Sequence, residues 1–440
     1  MPSVLAVAPV GHPLDATVTV PGSKSLTNRA LVCAALAPGT SLIEGGLVAD
    51  DSLAMRTALG TLGARIDHDP ATGRLTVTGT GGRVRPGPAT LDMRLSGTTS
   101  RFLLPVVALG EGSYRVDGAP PLRARPMGPV LDGIRALGAT VEHDGEPGHL
   151  PVTVVAPGGL DGGEVEVAGD TSSQFLSGML LAAPCTRHGV RIVVTTRLVS
   201  RPYVELTEAV MAAFGVAVRH DDDRPDVGPV LVVPPGGYRP AQFQVEPDAS
   251  TASYFLAAAA VVGGRVTVEG LGASSRQGDA GFADLLARMG AQVERTDTTT
   301  TVTGTGTLRG LGSVDMGDMP DMAQTLAAVA AFADGPTRVT GVELIRWHET
   351  DRIAAVVAEL RRAGITTDEE RDGFVVHPGV PRPARIRTYD DHRMAMSFAL
   401  LGLRAPGIEI EDPGCVAKTF PEFWQALDGL RTTGPGTAGQ

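Results

Sequence analysis

Six times along the chain, a polar start rich in capping residues leads into an apolar helical run, a glycine-containing turn and a short β-rich strand. The copies read GSKSLTNRALVCAALAPGTSLIEG, SGTTSRFLLPVVALGEGSYRVDG and DTSSQFLSGMLLAAPCTRHGVRIVV in the first half. In the second half they read DASTASYFLAAAAVVGGRVTVEG, DMPDMAQTLAAVAAFADGPTRVTG and DDHRMAMSFALLGLRAPGIEIED. Their turn glycines, Gly39, Gly112, Gly189, Gly264, Gly335 and Gly407, fall 73, 77, 75, 71 and 72 residues apart. Random placement does not hold such a period. Between the copies lies a second helix–strand unit, whose helices end at Gly63, Gly138, Gly215, Gly290 and Gly364, at intervals of 75, 77, 75 and 74. Glycine just past a helix supplies the left-handed C-cap. A repeat of about 74 residues with two helices and several strands is too long for a solenoid unit and suits an α/β module. Six such modules predict two pseudo-threefold domains of three.

The stretch PPGGYRPAQFQVEPD (residues 234–248) is rich in proline and glycine and sits between the third and fourth modules, so one boundary is predicted near residues 240–245. The strand ending TVTVPGSKS precedes the first module without a helix of its own, which places a second crossover near residues 20–23 and lets the strand complete either half.

Composition narrows the class. With 42% hydrophobic and 20% charged residues over 440 positions, the chain is an ordinary globular protein of two or three domains. It has no run of 18 apolar residues, and its start lacks a basic region followed by an apolar core, so neither a membrane span nor a signal peptide is expected. Three scattered cysteines, Cys33, Cys185 and Cys415, make no disulfide framework, and a reducing, cytoplasmic location is expected. Cys185 and Cys415 read as small packing residues, DDDRPD (221–226) as a solvated loop and RTTGPGTAGQ (431–440) as a disordered end. No HExxH, EF-hand loop or cysteine pair appears, so no metal and no cofactor is expected. A net charge of −11 argues against nucleic acid or an acidic membrane as partner.

Only two of the 38 basic residues are lysines, Lys24 and Lys418. In a chain so biased toward arginine, either chance has spared them or they do work that a planar, permanently charged guanidinium does not. Both lie near helix or turn starts, as do other candidates. Ser23, Lys24, Ser25 and Arg29, then Gly97, Thr98 and Arg101, then Ser172, Ser173 and Gln174 open helices in the first half. Asp318 and Asp321, then Asp391, His392 and Arg393, do so in the second. Plain capping accounts for any one Ser or Asp. Around a pseudo-threefold axis, however, equivalent helix starts converge on one face, where free N–H groups attract phosphates and carboxylates. PGSKSLTNR lacks the GxxxxGK[ST] of a P-loop, so no nucleoside triphosphate site is expected. RWHETDR brings His348, Glu349 and Arg352 within one turn, although an isolated Glu349–Arg352 match is ordinarily a surface ion pair.

In order, PGSKSLTNR, SGTTSR, RARP, DTSSQF, SRPY, MPDM, HETDR, YDDHRMAM and CVAKTFP resemble the 5-enolpyruvylshikimate-3-phosphate synthase family of enolpyruvyl transferases over essentially the whole chain. The resemblance implies two inside-out α/β domains of three βαβαββ units each, one inserted in the other, with the active site in the cleft between them. The N-terminal strand then joins the later half, giving domains of 1–22 with 243–440, and 23–242. It implies a reaction of the shikimate pathway of aromatic amino-acid biosynthesis. The enolpyruvyl group of phosphoenolpyruvate passes to the 5-hydroxyl of shikimate 3-phosphate by addition and elimination, with release of phosphate. Such chemistry needs positioned acids and bases and many cations in one dry cleft.

By the same resemblance, Lys24, Gly97, Arg125, Gln174, Arg352, Arg393 and Lys418 hold phosphoenolpyruvate. Lys24, Ser25, Arg29, Ser172, Ser173, Gln174, Ser200, Tyr203, Asp321 and His348 hold shikimate 3-phosphate. Asp321 is the implied proton acceptor and Glu349 the proton donor, with Lys24 as the third catalytic group. Two positions depart from the family pattern. His348 stands where many members have lysine, and Leu344 where an asparagine contact is familiar. Gly97 matches the glyphosate-sensitive form, with inhibition competitive with phosphoenolpyruvate. A monomer acting on small molecules is implied. The rival enolpyruvyl transferase acting on UDP-N-acetylglucosamine uses a loop cysteine absent from PPLRARP, and an RNA-end cyclase-like protein is opposed by the acidic charge.

Overall fold

The computed structural model describes residues 3–224 and 228–431. The chain forms two compact units, one running to Pro21 and resuming at Glu246, the other spanning Gly22–Val245. In the Gly22–Val245 unit, three four-stranded sheets share one order: a leading strand, a parallel neighbour, then an antiparallel pair. The middle module shows the pattern, with Ala89–Asp92 parallel to Glu111–Asp117, followed by Val152–Pro157 and Thr140–His143. The first module lacks a leading strand of its own at its start. Gln242–Gln244 supplies it, parallel to Pro38–Glu44 with Gln242 opposite Leu42. The expected boundary at residue 243 therefore moves to Val245/Glu246, because the returning strand finishes the inserted unit before the chain leaves it.

The other unit is built the same way. Leu14–Val18 leads its first sheet, parallel to Gly264–Glu269, and Gly312–Asp315 leads the second, parallel to Thr337–Thr340. The last sheet has three strands, in which Val4–Val7 pairs antiparallel with Ile408–Glu411.

Each module buries one helix almost completely. These inner helices are Lys24–Leu36, Gly97–Ala108 and Ser173–Ala182 in one unit, and Ala249–Val262, Ala323–Ala330 and His392–Arg404 in the other. Their sequences are apolar nearly all round, as fits helices covered on every side. Close approach is tight: a Cβ on Gly178 would sit 2.2 Å from the Arg101 carbonyl oxygen of the neighbouring inner helix. In the later unit a chain of hydroxyls joins the three inner helices, Ser253 to Thr325 (3.4 Å) and Thr325 to Ser397 (3.1 Å), each step 72 residues apart in sequence. The five glycines expected to end the second helices, from Gly63 to Gly364, all have φ between +79° and +111°.

One expected loop is a strand. Arg219–Arg224 pairs with the apolar Gly228–Val233 as the charged edge of its sheet, a usual place for charged residues. The rest of the DDDRPD run, residues 225–226, together with residue 227 and the tail from residue 432, lies outside the described residues.

Candidate active site

In the Gly22–Val245 unit the three inner helices are capped by Ser23, Ser96 and Ser172, whose hydroxyls accept from the N–H groups of Leu26 (3.4 Å), Thr99 (3.3 Å) and Gln174 (3.3 Å). Capping is thus part of what these serines do. Lys24 follows the first cap and pairs with Asp51 at 3.4 Å. Arg29, one turn on, is buried. Its Nε donates to Thr207 Oγ1 (2.7 Å), Nη1 to the Ser25 carbonyl (2.9 Å), and Nη2 to the Tyr203 carbonyl (2.9 Å) and Ser177 Oγ (3.3 Å). Its face lies over the Phe102 ring, 5.1 Å from the centroid. Burial lowers this guanidinium to about 10, which leaves it charged at neutral pH. Among the described residues no carboxylate reaches ion-pair distance of Arg29, so its buried charge calls for an anion.

Ser25, Arg29 and Tyr203 are thereby one cluster. Ser200 adjoins it at the start of the helix Arg201–Ala213, in the left-handed region (φ 54°), and its carbonyl accepts from Tyr203 N–H at 3.0 Å. A second cluster forms around Gly97. A Cβ there would meet Arg125 Nη1 at 2.8 Å and its Cζ at 2.9 Å, so the guanidinium lies directly over the helix start. Arg101 is buried rather than open at the helix start, and its Nη1 donates to Gln174 Oε1 at 2.9 Å. Ser173 is buried at the head of the same helix as Gln174.

In the later unit the chemistry is concentrated in one ionic network. The fifth inner helix has no side-chain cap. A 3₁₀ turn, Pro320–Met322, leads into it, and the Asp321 carboxylate is left to other partners. Arg352, whose side chain is 2% exposed, is the hub. It donates to Asp391 (2.7 and 3.2 Å), Asp321 Oδ1 (2.8 Å) and Glu349 Oε2 (2.9 Å). Its burial excludes the surface ion-pair alternative. Arg393 Nη2 holds the other Asp321 oxygen at 2.8 Å, and Lys418 Nζ holds Glu349 Oε1 at 2.7 Å. Three cations thus face three carboxylates. Burial pushes Asp321 up, but Arg393, His348 and Arg352 outweigh it and hold this carboxyl well below the usual range. Arg352 is held above its ordinary value by its three carboxylates despite burial.

His348 Nδ1 lies 3.0 Å from Arg352 Nη1. The same nitrogen lies 3.5 Å from Asp321 Oδ1, so it stands between a guanidinium donor and a carboxylate acceptor. Burial lowers His348, consistent with a neutral ring at pH 7. It therefore presents a neutral ring where a lysine would present a charge.

Several residues here escaped the sequence reading. Ser250 Oγ is bonded to Asp279 and accepts from Arg393 Nη2 (3.4 Å), while Tyr254 contacts Arg393 Nη1 (3.4 Å). Burial and then Asp321 raise Asp279 to about 6, against the pull of Arg393. Asp391 caps the last inner helix through Arg393 N–H (2.9 Å) while anchoring Arg352. Its place at a helix start was visible, but its partner was not. Among the described residues no group of His, Cys, Asp and Glu is arranged to hold a metal ion, and no helix is long and apolar enough to cross a membrane.

Comparison with known proteins gives one consistent result. A family model described as EPSP synthase (3-phosphoshikimate 1-carboxyvinyltransferase) matches residues 9–427. A 3-phosphoshikimate 1-carboxyvinyltransferase of Nostoc punctiforme is 45% identical over 96% of this chain and 97% of its own length. A chloroplastic one of Brassica napus is 43% identical over 95% of this chain and 83% of its own. The solved EPSP synthase of Acinetobacter baumannii superposes with a TM-score of 0.80 at 28% identity, covering 97% of this chain and 98% of that one. With a family model spanning nearly its full length and relatives above 40% identity, the chain belongs to the EPSP synthase family.

Proposed function

We propose that this chain transfers the enolpyruvyl group of phosphoenolpyruvate to the 5-hydroxyl of shikimate 3-phosphate, forming 5-enolpyruvylshikimate 3-phosphate and phosphate. The observation that carries the reading is the buried network of Asp321, Glu349, Arg352, Arg393 and Lys418. A proton acceptor and a proton donor are each gripped there by cations that a phosphate or carboxylate would also seek.

In the proposed reaction Asp321 takes the 5-hydroxyl proton as that oxygen attacks C2, and Glu349 delivers a proton to C3. Phosphate departs after the C3 proton is withdrawn again. Without substrate, Asp321 is a weak base, because Arg393 and Arg352 stabilise its charge. When the phosphate and carboxylate of phosphoenolpyruvate draw on the same guanidinium donors, Asp321 loses part of that stabilisation and its basicity rises. Lys418 and Glu349 are linked in the same way. The substrate thus tunes its own acid and base.

Shikimate 3-phosphate is assigned to Ser25, Arg29, Ser172, Ser173, Gln174, Ser200 and Tyr203 from one unit, and to Asp321 and His348 from the other. Phosphoenolpyruvate is assigned to Gly97, Arg125, Gln174, Arg352, Arg393 and Lys418, with Lys24 serving both. The uncompensated charge of Arg29 supports an anionic occupant. The chain is proposed to act as a cytoplasmic monomer on these two small molecules.

The test is phosphate release from phosphoenolpyruvate with shikimate 3-phosphate, in parallel with UDP-N-acetylglucosamine. Release with shikimate 3-phosphate alone is expected. Release with the sugar nucleotide alone would assign the chain to the sister chemistry, and release with neither would overturn both.

A further inference from the structure

Arg101 has no assigned part in the reaction, yet it joins three of the elements assigned to phosphoenolpyruvate in its unit. It stands one turn into the helix that Gly97 begins and is 2% exposed. Nη1 donates to Gln174 Oε1 at 2.9 Å, Nη2 donates to the Pro126 carbonyl at 3.2 Å, and the guanidinium lies over the Phe175 ring at 4.9 Å. Pro126 directly follows Arg125, and Phe175 directly follows Gln174. One planar fork therefore ties the Gly97 helix, the Arg125 segment and the Gln174 helix together.

The chemistry of the pair has a direction. A guanidinium carries donors and no acceptor, so the amide oxygen of Gln174 must face Arg101. The amide NH₂ then points the other way, and among the described residues no protein acceptor takes it. Gln174 is held as a donor, which suits it to an anionic group and opposes a ligand that would itself donate at this point.

We propose that Arg101 is a positioning residue for phosphoenolpyruvate recognition: it fixes Gln174 as an obligate hydrogen-bond donor and holds the backbone that carries Arg125. This rests on the substrate assignment made above. A lysine keeps the charge at this position, but one ammonium lacks the fork that spans both acceptors.

The test is a double-mutant cycle in steady-state kinetics with Arg101→Met, Gln174→Ala and the pair, alongside Arg101→Lys. Arg101→Met is expected to raise KM for phosphoenolpyruvate by roughly 10- to 100-fold while kcat falls far less, the loss of a charge-assisted contact. Arg101→Lys should restore little of it. The double variant should be within about threefold of the worse single variant, because contacting residues do not add. Losses that multiply would overturn the proposal, as would an unchanged KM in Arg101→Met.

Gln174→Glu serves if the Arg101 variants fail to fold. With Arg101 holding one carboxylate oxygen, the other faces the substrate, and KM should exceed that of Gln174→Ala by roughly tenfold or more, the effect of a like charge. Equal KM values would overturn the proposal. Wild-type protein without turnover on shikimate 3-phosphate would defeat the substrate assignment instead. In that event the urea midpoints of the same variants still decide the contact, since additive shifts would exclude it.

Discussion

A single hydrogen at Gly97 separates the first turn of its helix from the Arg125 guanidinium, and a methyl group there would sit 2.8 Å from Nη1. The obstructing atoms are the far end of a flexible side chain, so the guanidinium moves and the helix does not. Gly97→Ala is therefore expected to leave the urea midpoint unchanged or slightly raised, since alanine favours a helix by about 1 kcal/mol over glycine. KM for phosphoenolpyruvate should rise roughly tenfold, as expected when one charge-assisted contact is displaced. Inhibition by glyphosate, if competitive with phosphoenolpyruvate, should weaken in parallel, and wild-type KM in the variant would disprove the crowding. Asp279 yields a second expectation, in stability. Burial sets its folded value at about 6, above the ordinary carboxyl value of 3.8. The folded state binds the proton more tightly, so stability falls as pH rises from about 4 to 6 and stays lower above that. Asp279→Asn should therefore gain on wild type across this window, by on the order of 2 kcal/mol. Asp321 shifts the opposite way and titrates below the window, while the lowered His348 is common to both proteins and cancels in the difference. A stability gap independent of pH between 4 and 7 would rule this out.

The helix Arg352–Arg362 acts as a clamp on the segment before the last inner helix. Near its start Arg352 holds Asp391, and two turns later the fully buried Glu359 takes the Arg387 N–H (3.0 Å) and the Tyr389 hydroxyl (2.7 Å). Between these ties Tyr389 and Asp390 both adopt left-handed conformations (φ 56° and 57°), which side chains rarely accept without compensation. Tyr389→Phe removes one tie. A loss of about 1–2 kcal/mol is expected in urea unfolding, the low end for a hydrogen bond to a charged acceptor, because the donating Tyr389 is itself partly exposed. KM for phosphoenolpyruvate should rise several-fold because Arg393 loses its support, and a variant unchanged in both would show that the strained turn holds itself. This clamp also marks where sequence reading stops. Glycine spacing and Ser or Asp caps are local features, bound to the backbone within a few residues, so modules and helix starts could be read directly. Arg101 looks like an open cation at a helix start, and Asp279 and Glu359 like solvated loop or helix charges. What buries them arrives from 73, 29 and 30 residues away. Asp321 was read at a helix start, but its role as proton acceptor came only through family resemblance, since its helix start departs from the capping rule that served the others.

At the scale of the molecule, the chain leaves one unit at Pro21, builds the other whole, and returns at Glu246. Each unit has an apolar core drawn from its own residues. If Asp321 and His348 hold shikimate 3-phosphate, the ligand must stabilise the unit that carries them, because a ligand that binds only the native site stabilises by about 2.7 kcal/mol at 100 times its Kd. The two tryptophans offer a way to see this. Trp347 (59% exposed, beside His348) and Trp424 both belong to the unit that carries Asp321. Intrinsic fluorescence therefore reports unfolding of that unit, whereas far-UV circular dichroism reports both. Most residues assigned to shikimate 3-phosphate, including Ser25, Arg29, Ser172 and Ser173, lie in the other unit. Saturating shikimate 3-phosphate is nevertheless expected to move the fluorescence transition to higher urea, through Asp321 and His348. Adding phosphate with phosphoenolpyruvate absent should not reproduce the full shift. A circular-dichroism transition that moves while the fluorescence transition stays fixed would mean that Asp321 and His348 do not hold shikimate 3-phosphate, and their assignment to it would have to be abandoned.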